Sequence, residues 1–467
     1  MNQTAAFRTE TDSLGAVEIP ALAAWSVQTQ RAIDNFPITG VPISQYPELI
    51  AALAMVKKAC ALANSGLGVL SAARADAIVA VCDEIIAGRH HDQFAVDVMQ
   101  GGAGTSTNMN ANEVIANLGL LKLGHRYGDY AELHPNDHVN RSQSTNDVYP
   151  TAIRLAVLAR TVPLIEAMQQ LVSAFHAKGE EFTGIMKVGR TQLQDAVPMP
   201  LGAEFRGFAN TINEDIQRLA DLSALLTEVN LGGTAIGTGI NAPEAFRELA
   251  VTHLREISGE PLVSAADLIE ASSDLGAFVM FSSTLKRIAI KLSKICNDLR
   301  LMASGPRAGL GEIILPAVQA GSSIMPGKVN PVIPEVVNQV CFQAIGNDLT
   351  VTMAAEAGQF QLNAMEPVII HKVMETMGSL TQAMDVLRSR CVEGIIADEA
   401  RCAALLEGSL VHVTALVPVI GYEAATKLAK FAQAHGFSLR QAAGGALPEA
   451  LAAQVMENLP AENLAGE

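Results

Sequence analysis

After the first forty residues, apolar positions recur with a period near 3.6 along almost the whole chain, and runs of β-branched or aromatic alternation are few, so the pattern predicts helices nearly everywhere. The longest candidates are Thr151–Lys178 with a bend at Pro163, Glu204–Val229, Ala266–Ser304 and an interrupted stretch Glu335–Arg390, all longer than ordinary globular helices. The third stops at "SGPRAGLGE", where Gly305 supplies a helix stop and Pro306 forbids resumption. Short polar loops bearing glycine separate these segments, and shorter elements occupy the amino-terminal part and the segment after about Ala397. The expectation is a mainly α fold: a long central helix bundle (residues 141–397) flanked by two smaller, mostly helical domains (1–140 and 398–467). No repeat of fixed period and no low-complexity tract interrupts the pattern, which argues against solenoids and disordered linkers.

Composition refines this picture. Only 4% of the residues are aromatic, and alanine and leucine fill the interior positions, which suits helices packed closely side by side. With 467 residues, 49% of them hydrophobic, the chain can bury a sizeable core, and its length alone suggests two or three structural units. The formal net charge of -16 repels polyanions and argues against a nucleic-acid partner, so any anionic substrate must be met by a local pocket. The six cysteines (Cys60, Cys82, Cys296, Cys341, Cys391, Cys402) form no C-x-x-C pair, and several sit in apolar helical runs, as expected in a reducing compartment. The start "MNQTAAFRTETDSLG" lacks a basic segment followed by an apolar core, and no segment offers about twenty uninterrupted apolar residues. We therefore expect a cytoplasmic protein with no membrane partner.

Four polar clusters break the apolar scaffold. In "GGAGTSTNMNANEV", Gly101, Gly102 and Gly104 let the backbone approach a ligand, while Thr105, Ser106, Thr107, Asn108 and Asn110 supply neutral donors. In "HPNDHVNRSQSTNDVYP", the residues His134, Asn136, Asp137, Ser142, Ser144, Thr145, Asn146 and Asp147 precede a long helix. Capping needs one or two such residues, and the surplus beside a positive helix end favours a carboxylate site. In "VGRTQLQDAVPMPLG", Arg190 is assigned to a structural ion pair, whereas Thr191 and Gln192 have the character of ligand donors. In "GSSIMPGKVNP", Lys328 offers a point charge for a carboxylate, and Gly321 and Gly327 permit a loop that opens and closes. No phosphate-loop spacing, metal-binding His/Cys array or G-x-S-x-G elbow is present, so nucleotide, zinc and α/β-hydrolase chemistry lack support.

These clusters carry a resemblance. "GSSIMPGKVNP" resembles the signature loop of the fumarase/aspartase superfamily, and "GAGTSTNMNANEV", "HVNRSQSTNDVYPTA", "GRTQLQDAVPMPLG" and "GGTAIGTGINAP" are similar to its other blocks in their usual order. Likeness extends from "TETDSLG" to "TALVPVIGY". Within the superfamily it is to the aspartase branch, which removes ammonia from L-aspartate to give fumarate. Fumarases usually read Thr-His in the third block, where this chain reads Thr191-Gln192, and they commonly have two serines where this chain has Ser144-Thr145. In "AAWSVQT", Val27 stands where family members typically show glycine, which leaves the local backbone geometry open but not the reaction.

The resemblance implies the fumarase/aspartase fold, a carbon-nitrogen lyase, and a homotetramer whose sites combine segments from three subunits. It implies Ser322 as the catalytic base, with Thr105, Ser144, Thr145 and Ser323 holding the β-carboxylate. Lys328, Asn330 and Thr191 would hold the α-carboxylate, and Asn146 and Gln192 would contact the amino group. Glu335 matches an acid that pairs with the fumarase histidine; with Gln192 in place of that histidine, a structural role is expected. No metal or cofactor is required in this chemistry, although Mg2+ activates some relatives. The alternatives are a class II fumarase acting on malate, or an inactive structural homologue.

Overall fold

The computed structural model describes residues 7–321 and 324–459. An antiparallel hairpin of β1 (Phe7–Asp12) and β2 (Gly15–Pro20) leads into α1 (Val27–Asn35), α2 (Pro47–Gly66), α3 (Ala72–Ile86) and α4 (Thr105–Lys122). The 37-residue α5 (Thr145–Glu181) is followed by a second antiparallel hairpin, β3 (Met186–Thr191) and β4 (Gln194–Pro200), and by α6 (Leu201–Ser223). Next come α7 (Phe246–Ser258), α8 (Gly276–Met302), α9 (Val332–Glu356) and α10 (Glu366–Arg390). Five shorter helices follow in the last of the described residues: α11 (Glu399–Gly408), α12 (His412–Ile420), α13 (Tyr422–His435), α14 (Leu439–Ala446) and α15 (Glu449–Asn458). This is the mainly α fold that the apolar period predicts.

The ends of the helices move from their expected places for identifiable reasons. The helix expected from Thr151 starts at Thr145 and takes Pro150 into its interior. Proline has no N–H to offer the carbonyl four residues earlier. The side-chain amide of Asn230 donates to that carbonyl, of Asn146, at 2.9 Å, so the helix runs through Pro150 with no orphaned acceptor there. The expected helix Ala266–Ser304 begins only at Gly276, whose N–H is taken by the Asp274 carboxylate at 3.0 Å. The stretch Glu335–Arg390 is two helices, broken where Asn363 donates to the carbonyls of Ala354 and Ala355 and so closes the end of α9.

Contacts divide the chain into two units, and the division falls inside α5, α6, α8, α9 and α10. The first unit takes in residues up to Ala167, Asp215–Ile290 and Val340–Gln382. Its helices pack through small residues: a Cβ on Gly119 of α4 would stand 2.5 Å from a Leu133 methyl, with Ala77 of α3 beyond. Val27 requires no unusual backbone; it opens α1 in helical conformation and is buried against Ile19 and Ala23. The second unit takes in Met168–Glu214, Lys291–Gln339 and residues from Ala383 onward. Phe175, Phe182, Phe205 and Phe208 form one of its aromatic clusters, and Leu416, Leu428, Leu439 and Val455 build a core for the terminal helices.

By length and composition, α2 and α5 could each cross a membrane, yet 67% and 72% of their most apolar windows are buried inside the protein. Their apolar faces already have a partner in the core.

A distant carboxylate starts α1. Ser26 makes no side-chain cap, and the buried Glu113 of α4 accepts instead from the backbone N–H groups of Ser26, Gln28 and Thr29 at 2.9–3.0 Å. Burial pushes its carboxyl above the ordinary range, and the amides it accepts oppose that rise. Removing the carboxylate leaves three N–H groups without their acceptor. Glu113→Ala should lower unfolding stability by about 2–4 kcal/mol, read as a shift of the urea midpoint; an unchanged midpoint would show that water replaces the carboxylate at no cost.

Candidate active site

Two helix N-termini meet in the first unit. Gly102, Ala103 and Gly104 all have positive φ (+91, +55 and +86), which turns the chain sharply into Thr105, the first residue of α4. Gly104 has no room for a side chain, because a Cβ would lie 2.5 Å from the ring of Tyr149 in α5. One turn further along α4, Asn108 Nδ2 donates to Thr145 Oγ1 at 3.0 Å, at the start of α5. Each helix end carries about half a positive charge. Their junction suits an anion.

The hydroxyls there have fixed polarity. Ser144 Oγ accepts from the Asn146 N–H at 3.2 Å, and Thr145 Oγ1 accepts from Asn108, so each keeps its own proton to give. Thr105 is exposed at the facing end of α4. Asn146 donates its Nδ2 to the Ala235 carbonyl at 2.8 Å, which leaves its Oδ1 as an acceptor. Asp147 fixes the frame: one carboxylate oxygen accepts from Ser144 N at 3.0 Å, the other from Gly232 N and Thr234 N at 3.0 and 2.9 Å. Burial pushes its carboxyl up to about 6 against the pull of those three amides.

Behind this surface lies a buried amide network. Asn140 Oδ1 collects Lys57 Nζ at 2.8 Å, Asn112 Nδ2 at 3.2 Å and Asn108 Nδ2 at 3.3 Å. Lys57 also donates to Gln143 Oε1 at 2.9 Å. Neither Lys57 nor Asn140 stands out in the polar clusters of the sequence. The available signal was a lysine set in the apolar run "ALAMVKKACALA". Other members of those clusters are structural: Ser142 donates to Asn64, Thr107 to Gln100, and Asn110 bridges Gln93 and Ala95.

The second unit carries the remaining candidates. Thr191 and Gln192 lie at the exposed tip of the β3–β4 hairpin, where Gln192 and Leu193 both take positive φ (+53 and +61). Arg190 does make the expected ion pair: its Nη1 is 2.7 Å from Glu312 Oε1, and Lys187 Nζ is 3.0 Å from Glu312 Oε2. Lys328 is exposed, and no ion pair to a described residue engages it. Gly321 is confined for a steric reason, since a Cβ there would stand 2.0 Å from the Lys328 carbonyl; Gly327 has φ +81. Asn330 lines a small cleft with Pro316, Ile333 and Arg390. Glu335 lies 3.9 Å from Arg300. Ser322 and Ser323 lie outside the described residues.

Residues 15–346 match the family described as Lyase, and residues 413–456 match the fumarase C C-terminus. The chain is 62% identical over 437 residues to an aspartate ammonia-lyase of Pseudomonas canavaninivorans, covering 93% of this chain and 92% of the relative. A solved fumarate lyase:delta crystallin from Brucella melitensis bound to cobalt superposes with TM-score 0.93 at 56% identity, covering 97% of this chain and 100% of that one. A class II fumarase from Schistosoma mansoni superposes with TM-score 0.89 at 33% identity, covering 94% and 95%.

The tight approach at Gly104 can be separated from glycine content in general. Gly104→Ala should drive a methyl into the Tyr149 ring at a positive φ and cost about 1–3 kcal/mol of stability, whereas Gly101→Ala, whose Cβ would rest 3.7 Å from Phe36, should be neutral to within about 0.5 kcal/mol. Thermal denaturation of the two variants beside the parent reads both; equal melting shifts would refute the steric argument.

Proposed function

The chain belongs to the fumarase/aspartase superfamily of lyases, and on that footing we propose how it removes ammonia from L-aspartate to give fumarate. The reaction takes a weakly acidic proton from Cβ. The electron pair left behind spreads into the β-carboxylate as an aci-carboxylate, then returns to form the Cα=Cβ bond as the Cα–N bond breaks and ammonia leaves. Addition of ammonia to fumarate is the reverse.

The observation that carries this reading is the fixed polarity of Ser144 and Thr145. Donors oriented before substrate arrives need no reorganisation when negative charge gathers on the β-carboxylate, and the two helix ends add to their field. Thr105 and Ser323 complete that set, Lys328, Asn330 and Thr191 hold the α-carboxylate, and Asn146 and Gln192 accept from the ammonium. Ser322 is the base. A serine hydroxyl is too weakly acidic to act in water, so it depends on closure of the Gly321–Pro331 loop to exclude solvent and bring a positive charge near the alkoxide.

Gln192 favours deamination over hydration. Its side-chain carbonyl accepts from an ammonium group, but it cannot cycle a proton near neutral pH as the histidine usual in fumarases does. No cofactor takes part in this scheme, and Mg2+ would act as an activator outside it.

The assembly we propose is a homotetramer whose sites draw on three subunits. Phe342, Leu349 and Met353 recur along one side of α9 with 61–64% of their surface exposed in the single chain, a face suited to another copy. All six cysteines are buried and none forms a disulfide, which supports a cytoplasmic setting.

Absorbance of fumarate formed from L-aspartate and from L-malate tests the reaction directly. Fumarate should form from aspartate with little or none from malate; equal rates would move the assignment to fumarase, and no product from either would leave a structural homologue. In the same assay Ser322→Ala should lower kcat by roughly a hundredfold or more with the assembly intact. Turnover within a few-fold of the parent would reassign the base.

A further inference from the structure

Lys57 is a buried cation without an anion of its own. It sits in the middle of α2 with none of its surface exposed, and its Nζ meets two neutral carbonyl oxygens, Asn140 Oδ1 at 2.8 Å and Gln143 Oε1 at 2.9 Å. No ion pair to a described residue engages it. The nearest acidic influence is Asp147, whose two oxygens are already used by three backbone amides. A charge held in this way costs free energy unless something else in the working protein compensates it.

Its direct partner leads to the substrate-facing surface. As an ammonium Lys57 can only donate, so Asn140 presents its carbonyl oxygen to it. That oxygen in turn receives the amide of Asn108, and the same amide donates to Thr145 Oγ1. Reversing Asn108 would place a carbonyl against the Asn140 oxygen. The chain from Lys57 to Thr145 therefore has one allowed direction, with the Thr145 hydroxyl proton left over at its end.

We propose that Lys57 is a positioning residue for the substrate: through Asn140 and Asn108 it commits Thr145 to donate to a carboxylate, and the bound dicarboxylate supplies the negative charge that its ammonium lacks. This rests on the reading that Thr145 binds a substrate carboxylate.

Binding should then be linked to a proton. Burial pushes the Lys57 amine down to about 7. The titratable groups facing it are Cys60 on its own helix, Cys82 on α3 and Asp147 on α5; burial pushes both thiols far up, so they stay neutral, and only Asp147 adds charge. A dianion placed nearby favours the protonated amine. It must therefore bind more tightly below pH 7 than above it, and near pH 7 its binding must take up part of a proton.

Succinate is a suitable probe, since both its carboxyls are ionised above about pH 6.5 and it carries no amino group to titrate. Calorimetry of succinate with the wild-type protein in buffers of different ionisation enthalpy should show uptake of about half a proton near pH 7, and a Kd that rises roughly tenfold from about pH 6.5 to 8.5. Lys57→Met should weaken succinate about tenfold at the lower pH, with a flat profile and no proton uptake, and should raise KM for aspartate more than it lowers kcat. Lys57→Arg, charged at every pH used, should recover affinity with a flat profile. A wild-type Kd that does not change with pH, or a Lys57→Met variant that keeps both pH dependence and proton uptake, would overturn the proposal. If Lys57→Met does not assemble, the wild-type proton uptake decides alone. A wild-type protein that turns over no aspartate yet binds succinate with proton uptake would instead overturn the reaction and leave Lys57 in place.

Discussion

The carboxylate of Asp147 holds together the start of α5, on which the proposed site is built. Three backbone N–H groups from two separate segments converge on it: Ser144 at the start of α5, and Gly232 and Thr234 in the loop between α6 and α7. All are buried or nearly so, and without the carboxylate each buried donor would lose its acceptor, at about 1–3 kcal/mol apiece. The interaction also explains why a fully buried acid persists. Its desolvation is opposed by amides whose own burial it makes tolerable.

From that anchor the neighbouring contacts follow. With the loop held against α5, Asn230 reaches the carbonyl that Pro150 leaves open, and Asn146 reaches the Ala235 carbonyl. The helix can therefore begin five residues before its proline, and its positive end reaches Ser144 and Thr145. A proline that would ordinarily break a helix is accommodated because a tertiary contact replaces the missing hydrogen bond.

Two kinds of polar interior serve different ends. In the second unit Glu312 is flanked by Arg190 and Lys187, an arrangement of full charges that holds strand β3 along its length. Around Thr145 the first unit uses amides and hydroxyls, with Lys57 set behind them. Neutral donors suit a site where charge appears on the substrate only during reaction, because they stabilise it without binding a resident counter-ion in the resting state. The glycines of the Gly321–Pro331 loop follow a further requirement: Gly321 is bound by contact with the Lys328 carbonyl, and Gly327 by its backbone angle.

Much of this was legible in the chain. The period of apolar residues determined the helices, because a helix must bury one side whatever it packs against. The polar blocks pointed to candidate ligand donors, and their order identified the family. Arg190 was readable as an ion-pair residue, but its partner Glu312, 122 positions away, was not. Helix ends were less so: Thr145 as the start of α5 depends on Asn230, more than eighty positions away, and the cap on α1 comes from Glu113 in α4. Lys57 and Lys58 are adjacent and alike in sequence, yet Lys58 pairs with Asp83 at the surface while Lys57 is enclosed. One residue along a helix is a rotation of about 100°, so which lysine faces the interior is decided by the packing of α2. Only the folded chain could bring Asn140 and Asn108 together beside the buried one and link a lysine in an apolar run to Thr145.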